Sequence, residues 1–269
     1  MKTDTRHLFS TQADAYRTSR PTYDPQLFAW LASLAPDTGL VWDCGCGSGQ
    51  ASRDLARYFR QVIATDINPA PLARAISAPN IEYRCEPAEA TSLATGSVDL
   101  TVVAQALHWF NLDGFYAEVR RVSRPGGLLA ALTYNLMQTS PTIDALIYTL
   151  YYDVLGPYWA AERKYVEGNY RTLAFPFQRI PTPTMTLRAN WNLTRFIGYL
   201  ESWSALVSYR QRTELDPLTV LKPELERCWG DPEQTKTIHW PLTILLGTIG
   251  FPGYTQLTNS NRQQHATIR

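Results

Sequence analysis

The chain has little that would tie it to a membrane, an oxidising compartment or a polyanion. It holds only four cysteines, Cys44, Cys46, Cys85 and Cys228, at irregular spacing. That is no disulfide framework, and all four read as free thiols of a reducing compartment. Cys44 and Cys46 stand one residue apart inside a glycine-rich turn. This is not zinc-ligand spacing, so no metal is expected. Neither charge sign dominates: 25 Lys and Arg against 24 Asp and Glu leave +1, which gives no reason to expect nucleic acid as a partner. No run approaches the ~18 apolar residues that cross a bilayer. Residues 1–10 are polar and lack the apolar stretch of a signal peptide. Repeats and low-complexity tracts are absent too. These absences predict a soluble, cytoplasmic chain with no membrane or nucleic-acid partner.

What is present is core-forming. The chain has 269 residues, 45% of them hydrophobic, enough for one large domain or a core domain with an insertion. Its organising stretch is Val41-Trp42-Asp43-Cys44-Gly45-Cys46-Gly47-Ser48-Gly49-Gln50. Leu40 to Trp42 reads as a strand, the three glycines as a sharp turn, and a helix begins near Ala51. Such a turn brings backbone amides and a helix start against a nucleotide. A plain strand-to-helix turn is the bland alternative.

Asp43 narrows the ligand. A carboxylate before the glycines repels a pyrophosphate and attracts an ammonium or sulfonium group. S-adenosylmethionine is a phosphate-free ligand of that kind. The dinucleotide fingerprint G-x-G-x-x-G would need its third glycine at position 50, which is Gln50. Asp66 ends the second strand, Gln61 to Asp66, where one carboxylate can accept from both ribose hydroxyls. It could instead cap the next helix, but Asn68-Pro69 already supplies that signal.

The other elements follow a β-α alternation. Asp24-Pro25 starts a helix carrying Leu27, Leu31 and Leu34, and Ile81 to Cys85 is strand three. Glu86-Pro87-Ala88-Glu89 follows, with Ala88 small enough to admit a flat adenine. Val98 to Ala106 reads as a buried central strand. Gln105, His108 and Trp109 stand at its carboxyl end. Leu112 to Val122 is an amphipathic helix, and Leu128 to Tyr134 is strand five. Short connections in this order predict a doubly wound parallel α/β sheet.

Residues 136–178 break the alternation with an aromatic-rich, helical insertion that includes Trp159, read as a lid shaping a substrate pocket. Half of its aromatics are expected to be ordinary core. Residues 1–23 are expected to form an N-terminal flap. Phe9 and Ala13 pack it, while Tyr16, Arg17 and Arg20 face the site. Phe196 to Val207 reads as a helix. Ile238 to Leu246 is the last strand, with Pro241 suggesting a bulge or an edge. The domain is expected over 1–250, with a polar, disordered tail over 251–269.

With these residues the chain resembles the class I S-adenosylmethionine-dependent methyltransferases. The carriers are Val41 to Gly49, Asp66 and Ala88-Glu89. Within them it is most similar to the trans-aconitate methyltransferase-related group. That likeness rests on the pattern Phe9, Ala13, Tyr16, Arg20-Pro21, Tyr23, on the run Ala104 to Phe110, and on Trp203-Ser204-Ala205. Pro87 replaces an acid often found beside the adenine.

The resemblance implies a Rossmann-like sheet of about seven strands with the last antiparallel, and methyl transfer to a small acceptor by a monomer or homodimer. Cofactor contacts would come from Tyr16, Asp43, Gly45, Cys46, Gly47, Gly49, Asp66, Ile67, Ala88, Glu89 and Gln105. Acceptor contacts would come from Arg17, Arg20, His108, Trp109, Tyr134 and Trp159. A carboxylate acceptor would need cations and no base, whereas a hydroxyl or amine would use His108 as base. A nicotinamide-dependent oxidoreductase on the same fold is the rival, opposed by Asp43 and Gln50. A non-catalytic module that keeps the cofactor fold is the other alternative.

Overall fold

The computed structural model describes residues 20–250. The expected flap contacts Phe9, Ala13, Tyr16 and Arg17 and the tail 251–269 lie outside them. Helix α1 (Pro25–Leu34) starts at Asp24, whose carboxylate accepts from the Gln26 amide at 2.9 Å. Its Leu27, Phe28 and Leu31 are fully buried. Then come β1 (Leu40–Cys44), α2 (Gln50–Leu55), β2 (Gln61–Asp66), α3 (Pro69–Leu72), β3 (Ile81–Cys85), β4 (Val98–Ala104), α4 (Leu112–Val122) and β5 (Ser123–Tyr134). Asn68 caps α3 by accepting from the Ala70 amide at 3.0 Å, which leaves the Asp66 carboxylate uncommitted as a helix cap.

Strand order is β3-β2-β1-β4-β5, all parallel, so the order reverses between β1 and β4. The sheet parts two apolar layers, as period-two alternation requires. Leu128, Ala130 and Leu132 of β5 enter one core; Leu129 and Ala131 enter the other.

After β5 the chain forms α5 (Pro141–Tyr148), a π-helical stretch over Thr149–Val154, α6 (Arg163–Glu167) and the two-residue β6 (Gln178–Arg179). It continues through β7 (Met185–Trp191), α7 (Leu193–Glu201), α8 (Ser204–Thr213), α9 (Leu218–Trp229) and β8 (Lys236–Thr248). β8 runs antiparallel between β5 and β7. The expected antiparallel last strand is therefore present. The sheet has eight strands rather than about seven, because β6 pairs with the far end of β8.

Two local expectations are corrected. The helix read over 196–207 is two helices. Trp203 takes an extended conformation (φ −77°, ψ 129°) and is buried, ending α7 and starting α8. Pro241 marks neither a bulge nor an edge strand. Its missing N–H falls on the side of β8 facing β5, between the last pair, Tyr134–Leu242, and the isolated bridge Gln138–His239. No ladder bond is lost there.

Candidate functional site

The carboxyl ends of β1, β2, β4 and β5 converge on a cavity of about 360 Å³. It lies at the order reversal, where open α/β sheets bind ligands, and its size is that of a small-ligand site.

The glycine turn does two jobs. All three glycines have positive φ: 70° at Gly45, 56° at Gly47 and 77° at Gly49. A Cβ on Gly49 would stand 2.1 Å from the Tyr83 hydroxyl, and one on Gly45 would stand 2.6 Å from the Ala106 Cβ. These two let the turn pack against its neighbours. Gly47 lines the cavity, and a Cβ there would meet nothing within 4 Å. It keeps the wall open where a ligand would pass. Gly49 is packed behind the wall and is not itself a lining residue.

Asp43 is fully buried and faces this cavity. One carboxylate oxygen accepts a short bond from the Ser52 hydroxyl; the other, Oδ1, is buried without a partner. Burial pushes its pKa up to about 7, against the Ser52 bond, with the nearby Asp66 charge adding to the rise. A buried carboxylate oxygen lacking a donor is costly. The ammonium of S-adenosylmethionine could donate to that oxygen, so the site fits the cofactor expected from sequence.

Asp66 accepts from the Gly47 amide and the Asn68 amide, both at 2.8 Å, one on each oxygen. Each oxygen keeps a further lone pair for a ribose hydroxyl. Burial raises its pKa too, against those two amides.

Ala88 is buried in the cavity wall, and Ile67 lies at its exposed lip. Glu89 also lines it, but its Oε1 accepts from the Asn111 amide at 2.8 Å. Cys46 lines the wall as an inert thiol, since burial holds its pKa well above the usual range.

Gln105 lines the cavity with φ 60°, a left-handed backbone on a non-glycine residue. Trp109, Tyr134 and Arg20 line it too. Arg20 donates to the Ser202 carbonyl at 3.3 Å and stacks over Tyr199 at 5.3 Å. Gln50 also belongs to the wall, and its amide donates to the Pro21 carbonyl at 2.8 Å. The residue that breaks the dinucleotide fingerprint thus ties the N-terminal segment to the glycine turn.

Besides Gly49, two predicted residues lie elsewhere. His108 is buried behind the wall, with Nδ1 2.9 Å from the Tyr170 hydroxyl. Burial, helped by Arg163, lowers its pKa to about 3. Trp159 belongs to an aromatic cluster in the insertion, stacked with Tyr151 at 4.7 Å and Trp203 at 5.7 Å. Sequence reasoning did not assign Phe110, Asn68, Pro71 or Glu86, which also line the cavity. Phe110 packs against Gly45; its place in the aromatic run after β4 was the available signal.

A nucleoside-sized cleft at the switch point, with acids on β1 and β2 and an open glycine turn, defines a class of cofactor-dependent transferases. Residues 42–131 match the family described as methyltransferase domain. A protein of Dictyostelium discoideum named as a methyltransferase is 36% identical over 246 residues, covering 88% of this chain and 93% of that one. The solved structure of an Anaeromyxobacter dehalogenans protein named as a type II methyltransferase superposes with TM-score 0.81 at 45% identity, covering 86% of this chain and 98% of that one. A malonyl-[acyl-carrier protein] O-methyltransferase from a Methylovorus species is 37% identical over 112 residues, 37% of each chain. The chain belongs to the class I S-adenosylmethionine-dependent methyltransferases.

Proposed function

We propose that this methyltransferase O-methylates a carboxylate on a small molecule, in line with the trans-aconitate-related likeness of the Ala104–Phe110 run. S-adenosylmethionine supplies an electrophilic methyl group whose departure leaves a neutral thioether. Asp43, Asp66 and the Gly47 edge of the turn would hold it, and Ala88 with Ile67 would flank its base. The work left to the protein is to aim the acceptor and exclude water. A carboxylate is already ionised at neutral pH, since its pKa lies near ~4. It needs a cation to aim it and no base.

The observation that carries the reading is the cavity wall itself. Among the described residues, Arg20 is its cationic member, and His108 is not part of it. A pKa of about 3 also makes His108 a weak base. The Methylovorus relative, whose name places a methyl on an oxygen of a malonyl group, supports the same chemistry. The insertion over 136–178 would cover the acceptor.

The test is incubation with methyl donor and a panel of small carboxylic acids, followed by mass spectrometry and mild alkali. The expected product is a base-labile methyl ester. Arg20→Ala is expected to raise acceptor KM by ~10-fold or more while leaving S-adenosylhomocysteine affinity within ~2-fold. An alkali-stable ether or N-methyl product, or an unchanged KM in Arg20→Ala, overturns it.

A further inference from the structure

Behind the cavity wall four polar side chains lie in a line as two hydrogen-bonded pairs, His108 with Tyr170 and Thr133 with Gln105. His108 Nδ1 lies 2.9 Å from the Tyr170 hydroxyl. The Thr133 hydroxyl also interacts with the Tyr170 phenol, and it donates to Gln105 Oε1 at 2.9 Å. Gln105 Nε2 then donates to the Tyr134 carbonyl at 3.0 Å. His108, Tyr170 and Thr133 are buried, and Gln105 is the member that reaches the cavity. Gln105 Oε1 can only accept, so the Thr133 hydroxyl is the donor of its pair.

Gln105 needs such support. Its φ of 60° costs a non-glycine residue about 1 kcal/mol or more and persists only where the surroundings over-determine it. Both ends of its amide are held, so the group cannot rotate into the cavity or away from it. Tyr170 reaches the line through strain of its own. It and Asn169 are consecutive left-handed residues, at φ 58° and 52°, and its ring is fully buried. A core position alone would be filled better by Phe or Leu. Burying imidazole, phenol and two further polar groups is justified only where each finds a partner.

We infer that His108, Tyr170 and Thr133 are positioning residues that fix Gln105 in the cavity wall for cofactor binding and tie the insertion to the cofactor cleft. His108 thus acts through Gln105 and not on the acceptor.

The test is calorimetric titration of the full chain with S-adenosylhomocysteine. No acceptor is present, so the result is independent of the carboxylate assignment. Thr133→Val and Tyr170→Phe are expected to weaken binding ~5- to 10-fold. Thr133→Ser, which restores the hydroxyl, recovers the affinity lost in Thr133→Val. The double variant Thr133→Val, Gln105→Ala binds no more weakly than Gln105→Ala alone, because both changes remove one coupled function. Losses that multiply in the double variant overturn the inference. So does a Thr133→Ser protein as weak as Thr133→Val, which would mark a packing role.

Discussion

The two halves of the molecule are built on different interactions. From Leu40 to Tyr134 the working groups are backbone amides and carboxylates at strand ends: Gly47 donates to Asp66, and Asp43 waits with an unpaired oxygen. From residue 136 to 231 the working groups are rings and guanidinium ions. Arg163 stacks over Trp159 at 4.9 Å and Tyr151 at 5.5 Å, while its Nε donates to the Tyr151 hydroxyl at 2.6 Å. Backbone geometry recognises one fixed ligand and tolerates little change.

The sharpest break of this contrast is at the glycine turn. Gly49→Ala adds a methyl group 2.1 Å from the Tyr83 hydroxyl at φ 77°. It is expected to cost about 2–4 kcal/mol of stability from overpacking and left-handed strain together. Gly47→Ala meets no neighbour and should cost only about 1 kcal/mol of strain while still weakening S-adenosylhomocysteine binding. Thermal unfolding beside a binding titration separates the two, and equal destabilisation would end the division of labour drawn for these glycines.

A smaller effect comes from Asp43. Its pKa is raised to about 7, so the ionised form is the one that folding disfavours. Stability from this group is greatest near its unfolded value and declines as pH rises toward 7. Cofactor binding runs the other way. A cationic ligand needs the carboxylate ionised, so affinity for S-adenosylmethionine should climb roughly tenfold between pH 6 and pH 8. In Asp43→Asn that slope should vanish and binding should be weaker throughout. A wild-type affinity flat across this range would mean the ligand's cation lies away from Asp43.

The smallest effect belongs to the aromatic half. Arg163→Met removes the stacked guanidinium and its bond to Tyr151, for about 1 kcal/mol of stability. Cofactor affinity should stay within ~2-fold, because the link between halves runs through Tyr170. A tenfold loss of affinity in this variant would merge the two halves into one unit.

The same contrast explains what could be read from the chain. Asp43, the glycines, Asp66 and the Asn68-Pro69 cap are local signals, each set by backbone geometry within a few residues. The central strand was equally plain, since it is buried on both faces and so reads as an apolar run broken only by Asp99 and Thr101. Gln105 was legible as a position but not as a strained one, since nothing in its neighbours announces φ 60°. His108 looked like a base because sequence does not reveal that Tyr170, from 62 positions away, buries and binds it. Helix α9 was not assigned at all. Pro217 and Pro223 lie within six positions of each other, and only packing against α5 and α7 compensates for the bond Pro223 cannot make.

The placement of β8 has a consequence for synthesis. β5 is apolar from Leu128 to Leu132, and its outer side is covered only when Leu242–Thr248 of β8 pairs with it. Until that late segment leaves the ribosome, the nascent domain carries a long, sticky border ready to join any extended chain nearby. The hundred-odd residues between these strands lengthen that exposure, so chaperone demand during translation should follow from their length.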